Sequence, residues 1–281
     1  MYIFIIAITL LILLLILIYI SNNCLKITRY TVCNSKIPKS FNGTKIVHIS
    51  DVHSKMFGKD NSKFFSKIYE LNPDIIVMTG DIIDDSEKYI EKFAKLYSKI
   101  YKKYPTYYSI GNHERKLGYK KYKKYLNLLE KYGVNVIVNG GIYLKKGSDK
   151  IKINALKFRE NMQPKLLTDK KKIQYINYMK NKLGDIKEDE FNILLAHDPE
   201  NFEMYEKLNV DLIFSGHVHG GLVRFGKICL LSPRRKFFPK YSYGKNILNK
   251  TTLITSSGLG NATIPIRIFN RPEIVEVILK S

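Results

Sequence analysis

Gly216-His217-Val218-His219-Gly220-Gly221 comes directly after the apolar run Asp211-Leu212-Ile213-Phe214-Ser215. The run reads as a buried strand, and the glycines that follow it read as a tight loop. Two histidines one residue apart on such a loop can turn both imidazoles into one small volume. Neutral imidazole is a common ligand for zinc-like transition metals. Surface loops and core histidines also produce His-x-His, so the motif gains its weight from what the rest of the chain supplies.

Working outward, four more apolar runs end in the same kinds of side chain. The first closes on Ile49-Ser50-Asp51-Val52-His53 and the second on Thr79-Gly80-Asp81-Ile82-Ile83-Asp84. The third closes on Ile110-Gly111-Asn112-His113-Glu114, and the run Phe191 to Ala196 stops at His197. Open α/β sheets place their sites at the carboxyl ends of strands. Taken singly, each Asp or Asn could cap a helix and each His could be structural. Taken together, five strand ends deliver carboxylate, amide and imidazole to one edge. His48 lies inside the first strand and reads as structural.

Between these ends the chain alternates. Helical spacing appears over Asn61 to Leu71, Ser86 to Lys103, Tyr119 to Tyr132 and Thr168 to Leu183. Pro199 to Leu208 reads as a short helix opened by proline. Strands are expected over Lys45 to Ser50, Asp74 to Thr79, Thr106 to Ile110, Val134 to Val138 and Ile151 to Leu156, with a Gly/Lys turn between the last two. After the His-x-His loop only short strands are expected: Leu222 to Phe225, Lys227 to Leu231, Thr251 to Ser256 and Ile274 to Leu279.

The amino terminus is different in kind. Ile3 to Ile20 is an almost unbroken apolar run, about 27 Å as a helix, which is close to the hydrocarbon thickness of a bilayer. No basic residue precedes it and no Ala-x-Ala-like cleavage site follows, so an uncleaved transmembrane anchor is expected over residues 1–21. A juxtamembrane segment and domain entry follow over 22–44, and one large α/β domain over 45–281. Lys26, Arg29, Lys36 and Lys39 come after the helix, and by the positive-inside rule they put the globular part in the cytoplasm. The net charge of +22 is spread along the chain; it suits anionic headgroups or a phosphate-bearing substrate. No nucleic-acid module is visible, so no specific nucleic-acid partner is expected. Three cysteines, Cys24, Cys33 and Cys229, cannot close a disulfide framework and lack a Cys-x-x-Cys spacing.

Asp-x-His, Gly-Asp-x-x-Asp, Gly-Asn-His-Glu, a lone His and Gly-His-x-His, in this order, resemble the calcineurin-like metallophosphoesterase superfamily. The resemblance runs from about Lys45 to the carboxyl terminus. Phe238-Pro239-Lys240-Tyr241-Ser242, together with Gly258-Leu259-Gly260 through Pro265 to Glu273, is similar to the bacterial membrane-anchored branch. That branch is often grouped with UDP-2,3-diacylglucosamine pyrophosphatase-like enzymes. The resemblance implies a four-layer α-β-β-α sandwich preceded by the transmembrane helix. It also implies two divalent metal ions at the strand ends.

Carried over residue by residue, Asp51, His53, Asp81 and His219 hold one ion. Asp81 bridges to the second, which Asn112, His197 and His217 complete. This mixed oxygen and nitrogen set suits Mn²⁺, Fe²⁺ or Zn²⁺. Two ions about 3.5–4 Å apart can share a bridging hydroxide, the implied nucleophile, and clamp a phosphoryl oxygen. The resemblance makes His113 the group that protonates the leaving oxygen, with Asp84 orienting it. Glu114 is given a structural role.

The Ser/Thr protein phosphatases of the superfamily carry Arg directly after the second Asp of the Gly-Asp block, where this chain has Asp85. A carboxylate there repels a phosphate dianion, which disfavours a protein phosphatase and fits a phosphodiester or pyrophosphate better. The expected activity is a membrane-anchored phosphohydrolase acting on a lipid-linked or headgroup phosphate. Ser232 to Phe238, basic and aromatic together, reads as an interfacial loop. A nuclease or nucleotide phosphodiesterase of the same class is the alternative. A non-catalytic scaffold is disfavoured because all seven ligand positions and His113 are present.

Overall fold

Strand residues in this chain alternate between two buried faces. In the strand Lys45–Ile49, Ile46 points one way and Val47 and Ile49 the other, all fully buried. A strand covered on both faces needs a partner layer on each side. The result is four layers. Our computed structural model describes residues 1–84, 90–158, 167–233, 236–261 and 265–281.

In chain order the elements are α1 (Tyr2–Asn23), β1 (Lys26–Cys33), β2 (Lys45–Ile49), α2 (Ser62–Leu71), β3 (Ile75–Met78), α3 (Ile90–Tyr101) and β4 (Thr106–Tyr108). Next come α4 (Asn112–Lys116), α5 (Tyr119–Lys131), β5 (Val134–Val136), β6 (Asn139–Lys146), β7 (Asp149–Leu156), α6 (Asp169–Leu183), β8 (Asn192–Ala196) and α7 (Phe202–Tyr205). The chain ends with β9 (Leu212–Ser215), β10 (Val223–Phe225), β11 (Ile228–Leu231), β12 (Gly244–Leu248), β13 (Thr251–Thr255) and β14 (Glu273–Lys280).

One sheet has the order β1-β14-β2-β3-β4-β5 and the other β12-β13-β9-β8-β7-β6. Ile75 and Val77 of the first meet Ile193, Leu195 and Phe214 of the second in the core between the sheets. Behind the first sheet, Val47, Ile76 and Met78 pack against Phe64, Tyr97 and Leu129 of α2, α3 and α5. Leu194 and Ile213 pack Met179 and Phe202 onto the outer face of the second. β10 and β11 form a separate antiparallel hairpin.

Three strands differ from the sequence reading. Lys26–Cys33 pairs in parallel with β14 at the edge of the first sheet. Its burial is mostly intermediate, which blurs the alternation that identifies a strand. Asn139–Lys146 is an antiparallel edge strand against β7, so the expected Gly/Lys turn is confined to the Gly147 region. Its two glycines read as a turn, but the strand is exposed and has little to pack. Gly244–Leu248, the opposite edge of the second sheet, was also unread. Residues 85–89 lie outside the described residues, and with them Asp85 and the expected start of the helix at Ser86.

The register places the site. β1 and β14 are parallel, with Lys26 opposite Glu273, and β14 is antiparallel to β2, with Val275 opposite His48. The carboxyl end of β2, where Ser50 and Asp51 follow, therefore lies at the edge where α1 hands over to β1. β3 and β4 are parallel to β2 and end there too.

Candidate metal centre

Seven side chains from five strand ends converge. Asp51, His53 and His219 form one group in which ligand atoms lie within 4.8 Å of one another; Asp81, His197 and His217 form a second. His53 and Asp81 also group with His113, which links the two. Nε2 of His197 is 3.1 Å from Oδ2 of Asp81 and 3.1 Å from Oδ1 of Asn112. Nε2 of His219 is 3.6 Å from Oδ1 of Asp51, and Nε2 of His53 is 3.9 Å from Oδ2 of Asp81. The structure brings together all seven residues that the sequence placed at strand ends.

The backbone is bent to achieve this. Asp51, His53, Asp81, His217 and His219 all have positive φ, between 46 and 67°. Non-glycine residues seldom adopt this region, and such strain gathers at functional sites. The glycines beside them are required by close approach. A Cβ on Gly216 would collide with the Asp51 carboxylate and the Ser50 hydroxyl, and one on Gly111 with the Asp81 carboxylate. That is the physical content of the Gly-His and Gly-Asn pairs.

A surrounding layer of hydrogen bonds aims the donors. The backbone N–H of His217 donates to both carboxylate oxygens of Asp51, at 2.9 and 3.0 Å, and the N–H of His113 donates to Oδ1 of Asp81 at 2.8 Å. Beneath Asp51, Ser50 Oγ donates to its Oδ2 at 2.5 Å and Thr79 Oγ1 donates to Ser50 at 2.8 Å. His48 Nε2 completes the chain at 2.8 Å from Thr79. The structural histidine thus supports Asp51 from below. Nδ1 of His197 lies 2.5 Å from the Thr79 carbonyl, which can only accept, so Nδ1 carries the proton and Nε2 faces the site. Buried Glu114 accepts from the N–H groups of Asp81, Ile82 and Gly111 and from Tyr108 Oη, at 2.6–3.0 Å. It clamps the two ligand turns together.

The electrostatics favour a cation. Burial pulls His197 down, but the Asp81 and Asp51 carboxylates more than reverse this and raise it to about 10. Burial lowers both His53 and His219, leaving them as neutral nitrogen donors. Nε2 of His53 is buried and has no hydrogen-bond partner among the described residues. Atoms sharing one ion at about 2.0–2.2 Å stand roughly 3–3.5 Å apart, close to the spacings here. The donor set, its geometry and its charge all fit divalent metal.

His113 sits at the rim, about a quarter exposed, with Nε2 4.0 Å from Oδ2 of Asp81. Asp84 Oδ1 is 3.9 Å from its Nδ1, ion-pair distance rather than a hydrogen bond.

Comparison with known proteins agrees with this arrangement. Residues 44–221 match the family model described as calcineurin-like phosphoesterase. The chain belongs to that family. This metallophosphoesterase is 30% identical to an uncharacterized metallophosphoesterase of Campylobacter jejuni, over 98% of this chain and 70% of that one. It is 32% identical to another from Bacillus subtilis, over 94% of this chain and 88% of the relative. It is 24% identical to the transmembrane protein with metallophosphoesterase domain of Danio rerio, over 91% of this chain and 57% of that protein. The chain is therefore a metal-dependent phosphoesterase with an α/β sandwich fold.

Three residues around the metallophosphoesterase site have roles that the sequence reading does not assign, although Arg267 and Asn270 fall in the Pro265 to Glu273 stretch that carries the family resemblance. The Phe158 ring lies 5.0 Å from His217 and 5.6 Å from His197, walling one side. It follows β7 by two residues, so the strand-end rule could have found it. Arg267, almost fully buried, donates to the Ser257 carbonyl at 2.8 Å and approaches Nδ1 of His219 at 3.4 Å. Asn270 Nδ2 donates to the His219 carbonyl at 2.7 Å. No local pattern marks these two as supports for a turn about 50 residues earlier.

Proposed function

We propose that this chain is a membrane-anchored, dinuclear phosphohydrolase that cleaves a phosphodiester or pyrophosphate on a lipid-linked or headgroup substrate. The observation that carries it is the joining of the two donor groups through Asp81 and His53 at the edge where α1 leaves the fold. Asp51, His53, Asp81 and His219 hold one ion in this reading; Asp81, Asn112, His197 and His217 hold the other. Divalent ions held there lower the pKa of bound water and neutralise charge developing on phosphorus.

The protein supplies the rest. Asp51 and Asp81 are fixed by main-chain N–H groups before any substrate arrives, so little reorganisation is needed at the moment of reaction. His113, partly open to solvent beside Asp81, donates a proton to the leaving oxygen, and Asp84, 3.9 Å from its Nδ1, orients the ring. Phe158 keeps water from the His217 side. The membrane assignment is supported by α1, whose apolar span has a mean hydropathy of 3.4 and is not buried by the rest of the described chain. The Danio rerio relative, named as a transmembrane protein, supports it as well.

The test is turnover by the full-length chain in detergent with Mn²⁺, comparing bis-p-nitrophenyl phosphate with p-nitrophenyl phosphate. We expect the diester to be preferred and turnover to vanish in Asp81→Ala. Preference for the monoester would overturn the diester reading, and activity that survives Asp81→Ala would overturn the site.

A further inference from the structure

Among the described residues outside α1, a small group of large apolar side chains stands exposed on the β10–β11 hairpin and the loop before β14. Phe225 and Phe269 have ring centroids 4.9 Å apart, and each is about half exposed. Ile228, opposite Phe225 in the hairpin, and Ile266 are similarly exposed. Phe237 and Phe238 stand exposed just beyond β11. Phe225, Ile228 and Phe269 adjoin, with Ile266 on the same loop as Phe269; such a grouping in water needs an explanation, whereas isolated residues do not.

The backbone sharpens the point. Phe269 has φ of 56° and Phe238 of 48°, a region that bulky residues avoid. The surrounding hydrogen bonds hold Phe269 there. Phe269 N–H donates to Ser21 Oγ at 3.1 Å, Asn22 Nδ2 donates to the Arg267 carbonyl at 3.3 Å, and Arg271 donates to the Cys24 and Leu25 carbonyls at 3.0 and 2.6 Å. Ser21 and Asn22 are the buried residues of α1. The last turn of the helix is thus fastened to the loop that carries Phe269.

That fastening sets a depth. The 22 residues of α1 extend about 33 Å, against about 30 Å of hydrocarbon. A helix that spans the bilayer leaves residues 20–23 at the headgroup boundary. Phe269 is bonded to residue 21, and Phe225 touches Phe269, so both rings lie at that level. Lys227, exposed at the hairpin tip, can reach headgroup phosphate while its stem stays among the apolar neighbours.

We propose that Phe225, Ile228, Ile266 and Phe269 seat in the interfacial layer of the bilayer that α1 enters, as a second, side-chain attachment. This rests on the membrane anchoring of α1 proposed above. The same loop carries Arg267 and Asn270, which hold the His219 turn. Bilayer contact therefore fixes the depth of the metal centre itself, and the substrate phosphate belongs to a headgroup lying at the membrane surface.

The chain has no tryptophan, so single tryptophans report their own surroundings. The full-length Phe225→Trp and Ile228→Trp variants are reconstituted in phosphatidylcholine vesicles, with and without lipid brominated near the headgroup end of the acyl chain. Phe4→Trp reports the helix. Cys33→Trp reports the far end of β1, roughly 23 Å from Lys26 at about 3.3 Å per residue. We expect blue-shifted emission at 225 and 228 and loss of about half the intensity to the brominated lipid, as for a ring at the headgroup–acyl boundary, with Cys33→Trp unaffected. Quenching at Phe4→Trp with none at 225 or 228 would overturn the patch and leave the anchor standing. Absence of quenching at all four positions would overturn the anchor and the patch together. A blue shift at 225 without lipid quenching, with cross-linked dimers, would assign the patch to a second copy of the chain instead.

Discussion

The metal centre and the amino-terminal helix break the same rule in opposite directions. At the strand ends, Asp51, Asp81, His197 and His219 are buried polar groups. Along α1, residues such as Ile3, Leu10 and Leu13 are apolar and exposed. Both arrangements are costly in water; a cation would relieve the first, and the bilayer proposed above would relieve the second. The difference lies in how far the chain itself compensates. Main-chain N–H groups, Ser50 and Glu114 already satisfy much of the buried site, so its geometry is built before metal arrives. In α1 no packing within the described chain covers the apolar span. The centre is organised by the fold, whereas the apolar span of the helix receives no such support from the described chain.

The largest expected effect is at the bridge between the donor groups. Asp81→Asn keeps shape but removes the charge that joins the second donor group to His53 of the first, and should lower diester turnover by ~10³-fold or more, with bound metal falling in parallel by elemental analysis. Turnover lost with full metal content retained would break the claim that the two groups are one centre. Next is His113→Ala. It should retain metal and slow turnover by ~10²–10⁴-fold, as for loss of a general acid; esters with good leaving groups should suffer least.

A smaller effect separates fold from chemistry. Burial lowers His48 from 6.5 to about 3, so its neutral form belongs to the folded state. The stability it contributes is complete above pH 6.5 and is lost as pH falls from there toward 3. Urea midpoints of the metal-free chain should fall across that window, and less steeply in His48→Gln. An equal slope in the variant would assign the acid sensitivity to other groups. Smallest is Ile228→Glu. It should reduce activity on vesicle-borne substrate a few-fold, by analogy with interfacial contacts that add to a stronger anchor. Hydrolysis of soluble diester should not change, and equal loss on both would point to damage of the fold.

Much of this was legible in the sequence, for a physical reason. β2, β3, β8 and β9 are buried on both faces, so they read as short apolar runs. Asp51, Asp81, His197 and His217 stand out directly after them. Edge strands did not read: the half-exposed Lys26–Cys33 and the Gly-containing Asn139–Lys146 lack both alternation and an apolar run. The supports Arg267 and Asn270 were invisible because their meaning is purely tertiary; they act on His219, 48 and 51 residues away. Phe158, two residues after β7, is legible by the same strand-end rule. The positive φ of Asp81 and His219 is foreshadowed only by the neighbouring Gly80 and Gly220, and that of Asp51, between Ser50 and Val52, has no such signal.

The most direct test of the central claim is the metal stoichiometry of the full-length chain, measured by elemental analysis after loading with Mn²⁺, for the natural sequence and for Asp81→Ala. A single centre joined through Asp81 predicts two ions per chain and a loss of both, or nearly both, in the variant. One ion per chain in the natural sequence, or two that survive removal of the Asp81 carboxylate, would contradict it.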